Sequence, residues 1–259
     1  MNKYCIYGTD LRSKYLRKIF KEEGNKIVDF EHANIVIAPI PFSKDGVKVN
    51  GEIITCIELI ENLKDTKKIL ISGAISNDIK ENLKESNIIY YDLMENDSMA
   101  IYNAIPTSEG AIAVAIGNTE FTLHGSNVLI LGYGRIGKVL AKMLMGFGAN
   151  VYCEARKEKD LALISAMGYK AIKLEELDEV IGNMNIIFNT IPEMVIDEKR
   201  LDLVSKDTLI VDLASSPGGV DFKYAKETEK NVEWSLALPA KVAPYTAAMY
   251  IKNEIDNII

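Results

Sequence analysis

The chain has 259 residues, 48% of them hydrophobic, and a formal net charge of −7. That length buries a substantial core, in one large domain or two smaller ones, and two is the expectation. The acidic balance, with no dense basic run, argues against a general nucleic-acid surface, and no apolar stretch approaches the ~20 residues of a membrane-spanning helix.

Cys5, Cys56 and Cys153 lie in separate segments without C-x-x-C spacing. They read as reduced core residues of a cytoplasmic protein, with no metal site. The first residues enter a strand-like run at once, without a signal-peptide pattern, which gives the same expectation of a cytoplasmic location.

Residues 3–7 read as a first strand. Residues 11–23 read as a helix, with Leu11, Tyr15, Leu16, Ile19 and Phe20 at helical spacing. Asp10 is placed to cap that helix, and Arg12 falls in its first turn, at the carboxyl end of the strand where α/β proteins gather ligands. Arg12 is therefore a candidate for an anionic substrate, against the plain reading of a solvated surface arginine. Strands at 26–29, 34–38, 68–71 and 87–91 and helices at 55–63 and 77–84 give a βαβ alternation and a parallel sheet. Residues 39–51, with Pro39, Pro41, Gly46 and Gly51, form a turn-rich insertion expected to face out. Ser72-Gly73-Ala74-Ile75-Ser76 is a second place for backbone N–H groups to meet a ligand, or only a turn.

Residues 92–120 carry two helical patches around Pro106, which is expected to interrupt the helix, with Thr107 or Ser108 capping a restart. The domain crossing is placed here. Residues 1–104 are the first α/β domain, 105–120 an interdomain helix and 121–243 a nucleotide-binding domain, with a closing helix over 244–259 returning to the first. Asn103, Thr107 and Glu109 are then expected to face a cleft between domains, against ordinary roles as caps and helix-surface residues.

Residues 127–148 read as a buried strand, a tight glycine turn and a helix. Gly132, Gly134 and Gly137 have G-x-G-x-x-G spacing, with Arg135 and Ile136 inside the turn. The first glycine allows the sharp turn, the second leaves room for a pyrophosphate, and the third lets the helix pack close to the strand. The helix N-terminus presents free N–H groups to the phosphates. An ordinary strand-turn-helix corner is the alternative. In the next strand, counting from the glycines puts Ala155 where an acidic ribose-binding residue usually stands, with Arg156 and Lys157 just beyond. That favours NADP, and the neighbouring Glu154 keeps NAD open.

Strands at 170–174, 185–189, 208–212 and 232–236, with helices at 174–181 and 222–229, complete a doubly wound Rossmann domain. Its carboxyl edge carries Asn189-Thr190-Ile191-Pro192, then Ala214 and Ser215 in a Gly-rich loop, then a loop over 238–246 with Lys241. These are candidates for cofactor contacts, and Lys241 for a carboxylate or phosphate. Neither His32 nor His124 has an acidic residue at a spacing that would make a catalytic dyad, so both read as structural.

The run Ala100-Ile101-Tyr102-Asn103-Ala104-Ile105-Pro106-Thr107-Ser108-Glu109-Gly110, then His124-Gly125-Ser126 before the glycine turn, resembles the family of dipicolinate synthase A subunits. So do Asn189 to Pro192, Asp212 to Gly219 and the late Leu238-Pro239 and Ala243-Pro244. The likeness is specific over 92–248 and looser before it, where it rests on Gly8-Thr9-Asp10-Leu11-Arg12 and Ile71-Ser72-Gly73. The family has glycines where Thr9 and Ala240 stand.

The resemblance implies an NAD(P)-dependent oxidoreductase component of spore-forming bacteria. It would form pyridine-2,6-dicarboxylate from a dihydro- or hydroxytetrahydro-dipicolinate precursor in a branch of lysine biosynthesis, working with a second, flavoprotein-like subunit in the mother cell. It also implies an N-terminal flavodoxin-like α/β domain before the C-terminal Rossmann domain. For that chemistry Arg12, Ser72, Thr107 and Lys241 are the substrate-side candidates, and Asn103 and Glu109 the catalytic ones, Glu109 as a base if water must leave. Self-assembly is left open. Two other readings stand beside it: a reductase of small 2-oxoacids, and a non-catalytic nucleotide-binding component of a two-chain complex.

Overall fold

The computed structural model describes residues 2–259. The chain divides into two units, one of 1–103 with 239–259 and one of 104–238.

In the first unit, β1 (Lys3–Ile6), α1 (Leu11–Glu22), β2 (Lys26–Ile27), β3 (Ile35–Ile37), α2 (Cys56–Leu63), β4 (Ile69–Ser72), α3 (Asn77–Glu85) and β5 (Ile89–Asp92) follow the expected alternation. The sheet is parallel in the order β2-β1-β3-β4-β5, which is the flavodoxin-like winding. Sequence chemistry fixes the helix starts. Asp10 accepts the Ser13 N–H at 2.7 Å, and Thr55 and Glu58 form a reciprocal capping box.

The insertion after β3 does not simply face out. Phe42 and Val49 are fully buried and join the core with Leu59, Leu63 and Leu70. Turn residues dominate its composition, yet two apolar anchors suffice to pin it, because each buries a large side chain.

A helix α4 (Asp97–Gly117) then runs unbroken through Pro106, correcting the expected interruption. Asn96 caps it, accepting the Ser98 and Met99 N–H groups, and Ser108 caps nothing: its hydroxyl donates back to the Ala104 carbonyl at 2.8 Å. A mid-helix proline costs about 3 kcal/mol. Burial of Ala104, Ala111, Ile112 and Ala115 along the same helix offsets that cost.

The second unit continues with β6 (Asn127–Leu131), α5 (Arg135–Gly146), β7 (Asn150–Glu154), α6 (Glu158–Ala166), β8 (Lys170–Ile172), α7 (Leu177–Val180), β9 (Ile186–Asn189), α8 (Glu198–Leu203), β10 (Leu209–Asp212), α9 (Phe222–Glu227) and β11 (Asn231–Trp234). Its six parallel strands lie in the order β11-β10-β9-β6-β7-β8, the doubly wound Rossmann arrangement. Sequence periodicity missed α6 and α8. Both are short, and α6 alternates charge and apolar residues without a clear stripe.

The segment expected as a loop over 238–246 is instead α10 (Leu238–Val242) followed directly by α11 (Pro244–Ile258). Pro244 at the first helical position explains the immediate start. In the first unit α11 lies along α1 and buries Ala248, Ile251 and Ile255 beside Leu16, Ile19 and Phe20. Lys252, itself buried, pairs with Glu23 and with Asp256 at 2.6 Å. Among the described residues no helix is long and apolar enough to cross a membrane, and no cluster of His, Cys, Asp or Glu is placed to hold a metal ion. The three cysteines are free and buried, and burial pushes the Cys153 thiol up to about 12.

Candidate functional site

The winding of the second sheet reverses between β6 and β9, and in open α/β sheets ligands bind beyond the strand ends at such a point. The glycine turn occupies this position. Gly132 has φ +90°, a conformation that strains any residue with a Cβ, and Thr190 at the end of β9 donates to the Leu131 carbonyl at 2.8 Å. A Cβ on Gly134 would meet nothing within 4 Å, whereas one on Gly137 would sit 2.1 Å from the Gly132 carbonyl oxygen. The three glycines thus do three different jobs: turn, open approach and close helix packing.

Gly134 is the N-cap of α5 and, being glycine, gives the helix no side-chain hydrogen bond. Such an end holds an anion. Arg135 is exposed in the first turn, and Ile136 is half-buried against the core. The glycine spacing, the open space over Gly134 and the helix N-terminus together fit the pyrophosphate of a dinucleotide.

At the end of β7, Ala155 is buried, and its N–H bonds to Ile172; Arg156 and Lys157 are exposed. The Glu154 side chain is 1% exposed, and its Oε2 accepts the Gly132 N–H at 3.1 Å. Burial raises its carboxyl pKa above the ordinary value, against the lowering effects of the Gly132 N–H, Arg156 and Arg200. The folded state therefore holds the Glu154 proton more tightly than the unfolded chain does. The stability this contributes is full below about pH 4.5 and is lost as pH rises through the raised folded value. Glu154→Gln is accordingly expected to melt above the parent chain at pH 8 and to lose that advantage near pH 4.5. A difference of about 1 kcal/mol corresponds to roughly 2–4 °C for a chain of this size. Parallel melting curves of the two chains at every pH would refute it.

Beyond β9 and β10 the candidate loops are tied together underneath. Asp212 is fully buried and accepts from Asn189 Nδ2 at 2.9 Å, the Ala214 N–H at 2.9 Å and the Gly219 N–H at 2.8 Å. Asn189 also donates to the Ile191 carbonyl and accepts its N–H. A Cβ at Gly219 would strike Asn189 Nδ2 at 2.3 Å, which explains the second glycine there. Pro192 and Ser215 are exposed, Ala214 is buried, and Trp234 Nε1 donates to the Ala214 carbonyl at 3.0 Å. Sequence reasoning does not single out Asp212. A carboxylate at a strand end before a glycine pair is the signal that identifies such a loop anchor.

In the first unit the winding reverses between β1 and β3, and Arg12 is at that point. It is no surface arginine: it is 6% exposed, donates to the Ile40 carbonyl and lies 3.5 Å from Asp10. Desolvation lowers its pKa, offset in part by Asp10. The Ser72 hydroxyl, fully buried, donates to Pro39 at 2.7 Å. The neighbouring Ala74 and Ile75 N–H groups are taken by Asp92, at 2.9 and 3.0 Å, so that turn offers them to no ligand. Lys241 is exposed on α10.

The continuous α4 separates residues that sequence reading grouped. Asn103 and Thr107, four apart, share a helix face, and Glu109 is turned about 200° from Thr107. Thr107 is buried and Glu109 exposed. His32 does have an acidic partner, correcting the expectation: its Nδ1 lies 2.5 Å from Asp29 Oδ1, on the surface. His124 is exposed and packs over Gly148.

Residues 107–218 match the NAD-binding domain of D-isomer-specific 2-hydroxyacid dehydrogenases. This identifies a nicotinamide-nucleotide domain and covers the glycine turn. The dipicolinate synthase A subunit of Bacillus subtilis is 41% identical over 192 residues, 74% of this chain and 64% of that protein. The crystal structure of the dipicolinate synthase A subunit from Bacillus halodurans superposes with a TM-score of 0.89 at 29% identity, covering 99% of this chain and 97% of that one. The crystal structure of its Bacillus subtilis counterpart gives 0.86 at 29% identity, covering 99% and 95%. Over nearly its whole length the chain is thus similar to dipicolinate synthase A subunits in fold, and over 192 residues closely so in sequence. The sequence match spans less than two thirds of the curated relative's length.

Proposed function

We propose that this chain is the nicotinamide-dependent dehydrogenase component that forms pyridine-2,6-dicarboxylate from dihydrodipicolinate or its hydroxytetrahydro precursor, with NADP favoured and NAD accepted. The observation that carries the reading is the glycine turn, open over Gly134 and closed at Gly137, in a chain 41% identical to a dipicolinate synthase component. A bound nicotinamide supplies the hydride acceptor. Loss of a hydride and a proton aromatises a dihydropyridine ring, and aromaticity supplies the driving force, so elaborate acid-base machinery is unnecessary. A hydroxylated precursor must first lose water.

The chain's own residues have the following parts. Gly132, Gly134, Arg135, Ile136 and Gly137 hold the pyrophosphate. Arg156 and Lys157, beside Ala155, take the 2′-phosphate. Asn189 to Pro192, Ala214 and Ser215 shape the nicotinamide end. Arg12 and Lys241 are the cations for two carboxylates; Ser72, fully buried with its hydroxyl given to the Pro39 carbonyl, supports the loop beside Arg12 instead of meeting substrate, and Thr107 contributes its hydroxyl from α4. Asn103 orients substrate, and Glu109 serves as base where water leaves. The same proposal includes a flavoprotein-like partner subunit, the sporulation branch of lysine biosynthesis and the mother-cell cytoplasm. A 2-hydroxyacid reductase draws on the matched domain. It asks for a histidine with an acidic partner at the site, and the His32–Asp29 pair is on the surface instead.

The test is turnover of dihydrodipicolinate with NADP, by the purified chain alone and with the partner subunit. Formation of the aromatic product supports the reading, and cofactor binding without product in either combination would sink it. Arg156→Ala should weaken NADP about 10- to 100-fold more than NAD, the worth of one or two charge-assisted hydrogen bonds. Equal losses in a titration of the two cofactors would show that Arg156 does not read the 2′-phosphate.

A further inference from the structure

We propose that Glu154 reads the adenosine ribose: its second carboxylate oxygen accepts a ribose hydroxyl, and its charge opposes a 2′-phosphate, so that the chain binds NAD as well as NADP. The inference rests on the nicotinamide-cofactor reading above. Among the described residues that are not exposed, Glu154 Oε1 is the buried side-chain oxygen or nitrogen atom with no hydrogen-bond partner. Buried polar atoms are nearly always paired, and an unpaired one in a native fold asks for an explanation.

The backbone donors beside it are committed. Gly132 N–H already bonds Glu154 Oε2, and Ala155 N–H bonds the Ile172 carbonyl. Arg200 on α8 spends its Nε on Asp178 at 2.8 Å and its Nη1 on the Val195 carbonyl at 2.7 Å. None of these groups bonds Oε1, which leaves that oxygen available to a donor on a bound molecule. Glu154 ends β7, paired in register with Leu131, the last residue before the glycine turn. A dinucleotide seated on that turn presents its adenosine ribose to the end of this strand. The usual reader there is the next residue, but here that is Ala155, which has no polar side-chain atom. Glu154 performs the task from inside the strand.

Two opposed charges then set the choice of cofactor. Arg156, exposed just beyond the strand, favours a 2′-phosphate, and the Glu154 carboxylate disfavours it while rewarding a free hydroxyl. Like charges within a few ångströms are costly where water is excluded.

The experiment measures dissociation constants of NADH and NADPH at pH 8, by nucleotide fluorescence, for the full chain and for Glu154→Gln and Glu154→Ala. Both variants should shift the NADH-to-NADPH affinity ratio about tenfold toward NADPH, the size of one well-made hydrogen bond. A variant that merely loosened the turn would lose both cofactors equally, so an unchanged ratio overturns the inference and leaves the cofactor reading intact. Failure of the parent chain to bind either nucleotide overturns both.

Discussion

Gly137→Ala is expected to abolish nucleotide binding and to destabilise the second unit. The added methyl would sit 2.1 Å from the backbone oxygen of Gly132 and 3.5 Å from Ile130, so α5 must move away from β6. Overpacking of this kind costs about 1–3 kcal/mol, and here the obstacle is backbone, which cannot rotate aside. The displacement also swings the α5 N-terminus off its aim at the phosphates. Gly134→Ala is the matched control. Its Cβ meets nothing, its φ is −81°, and it should keep the parent melting temperature while weakening the nucleotide that must approach there. Thermal melts and dinucleotide titration of both variants decide the matter. Equal behaviour of the two would show that the turn does not divide its work as described.

Removing the Asp212 carboxylate has the second large effect. Asp212→Ala leaves the Asn189 amide and the Ala214 and Gly219 N–H groups without their acceptor in a fully buried place. An unsatisfied buried donor costs about 1–3 kcal/mol, and three that partly relax give an expected loss of about 3–5 kcal/mol in denaturant unfolding. The loops after β9 and β10 lose their common anchor, so cofactor affinity should fall as well. Asp212→Asn, which keeps the volume and one acceptor oxygen but sets an NH₂ group against a backbone N–H, should fall between the two. A loss below about 1 kcal/mol for Asp212→Ala would mean that the loops are held by other contacts.

Much of this architecture was legible because it is local. The spacing of Gly132, Gly134 and Gly137 states its own geometry, and Asp10 and Thr55 mark their helices by side-chain chemistry that acts within three residues. What misled was long-range. Pro106 breaks an isolated helix, but α4 is buried along Ala104, Ala111 and Ala115, and that burial outweighs the lost hydrogen bond. Arg12 reads equally as surface or site, since nothing near it in sequence reveals that the Ile40 carbonyl will stand over it. Asp92 lies 17 and 18 residues from the N–H groups it occupies. Strand alternation accounts for Val151 and Cys153 as a buried pair, but gives no reason to expect the charged Glu154 to be buried too. Only the neighbouring turn, with one N–H to offer it, explains that placement.

The helix α11 closes the core of the first unit from the far end of the chain, with Ile251 and Ile255 against Ile19 and Phe20. The strands of the flavodoxin-like sheet precede the Rossmann unit in the chain and α11 follows it, so on the ribosome that sheet's core is completed only after the Rossmann unit has been made. It waits, with one side of α1 uncovered, while the whole Rossmann unit is synthesised and folds as a unit of its own. The finished protein carries that history as a latch, in which Lys252, made after the Rossmann unit, reaches Glu23, made before it.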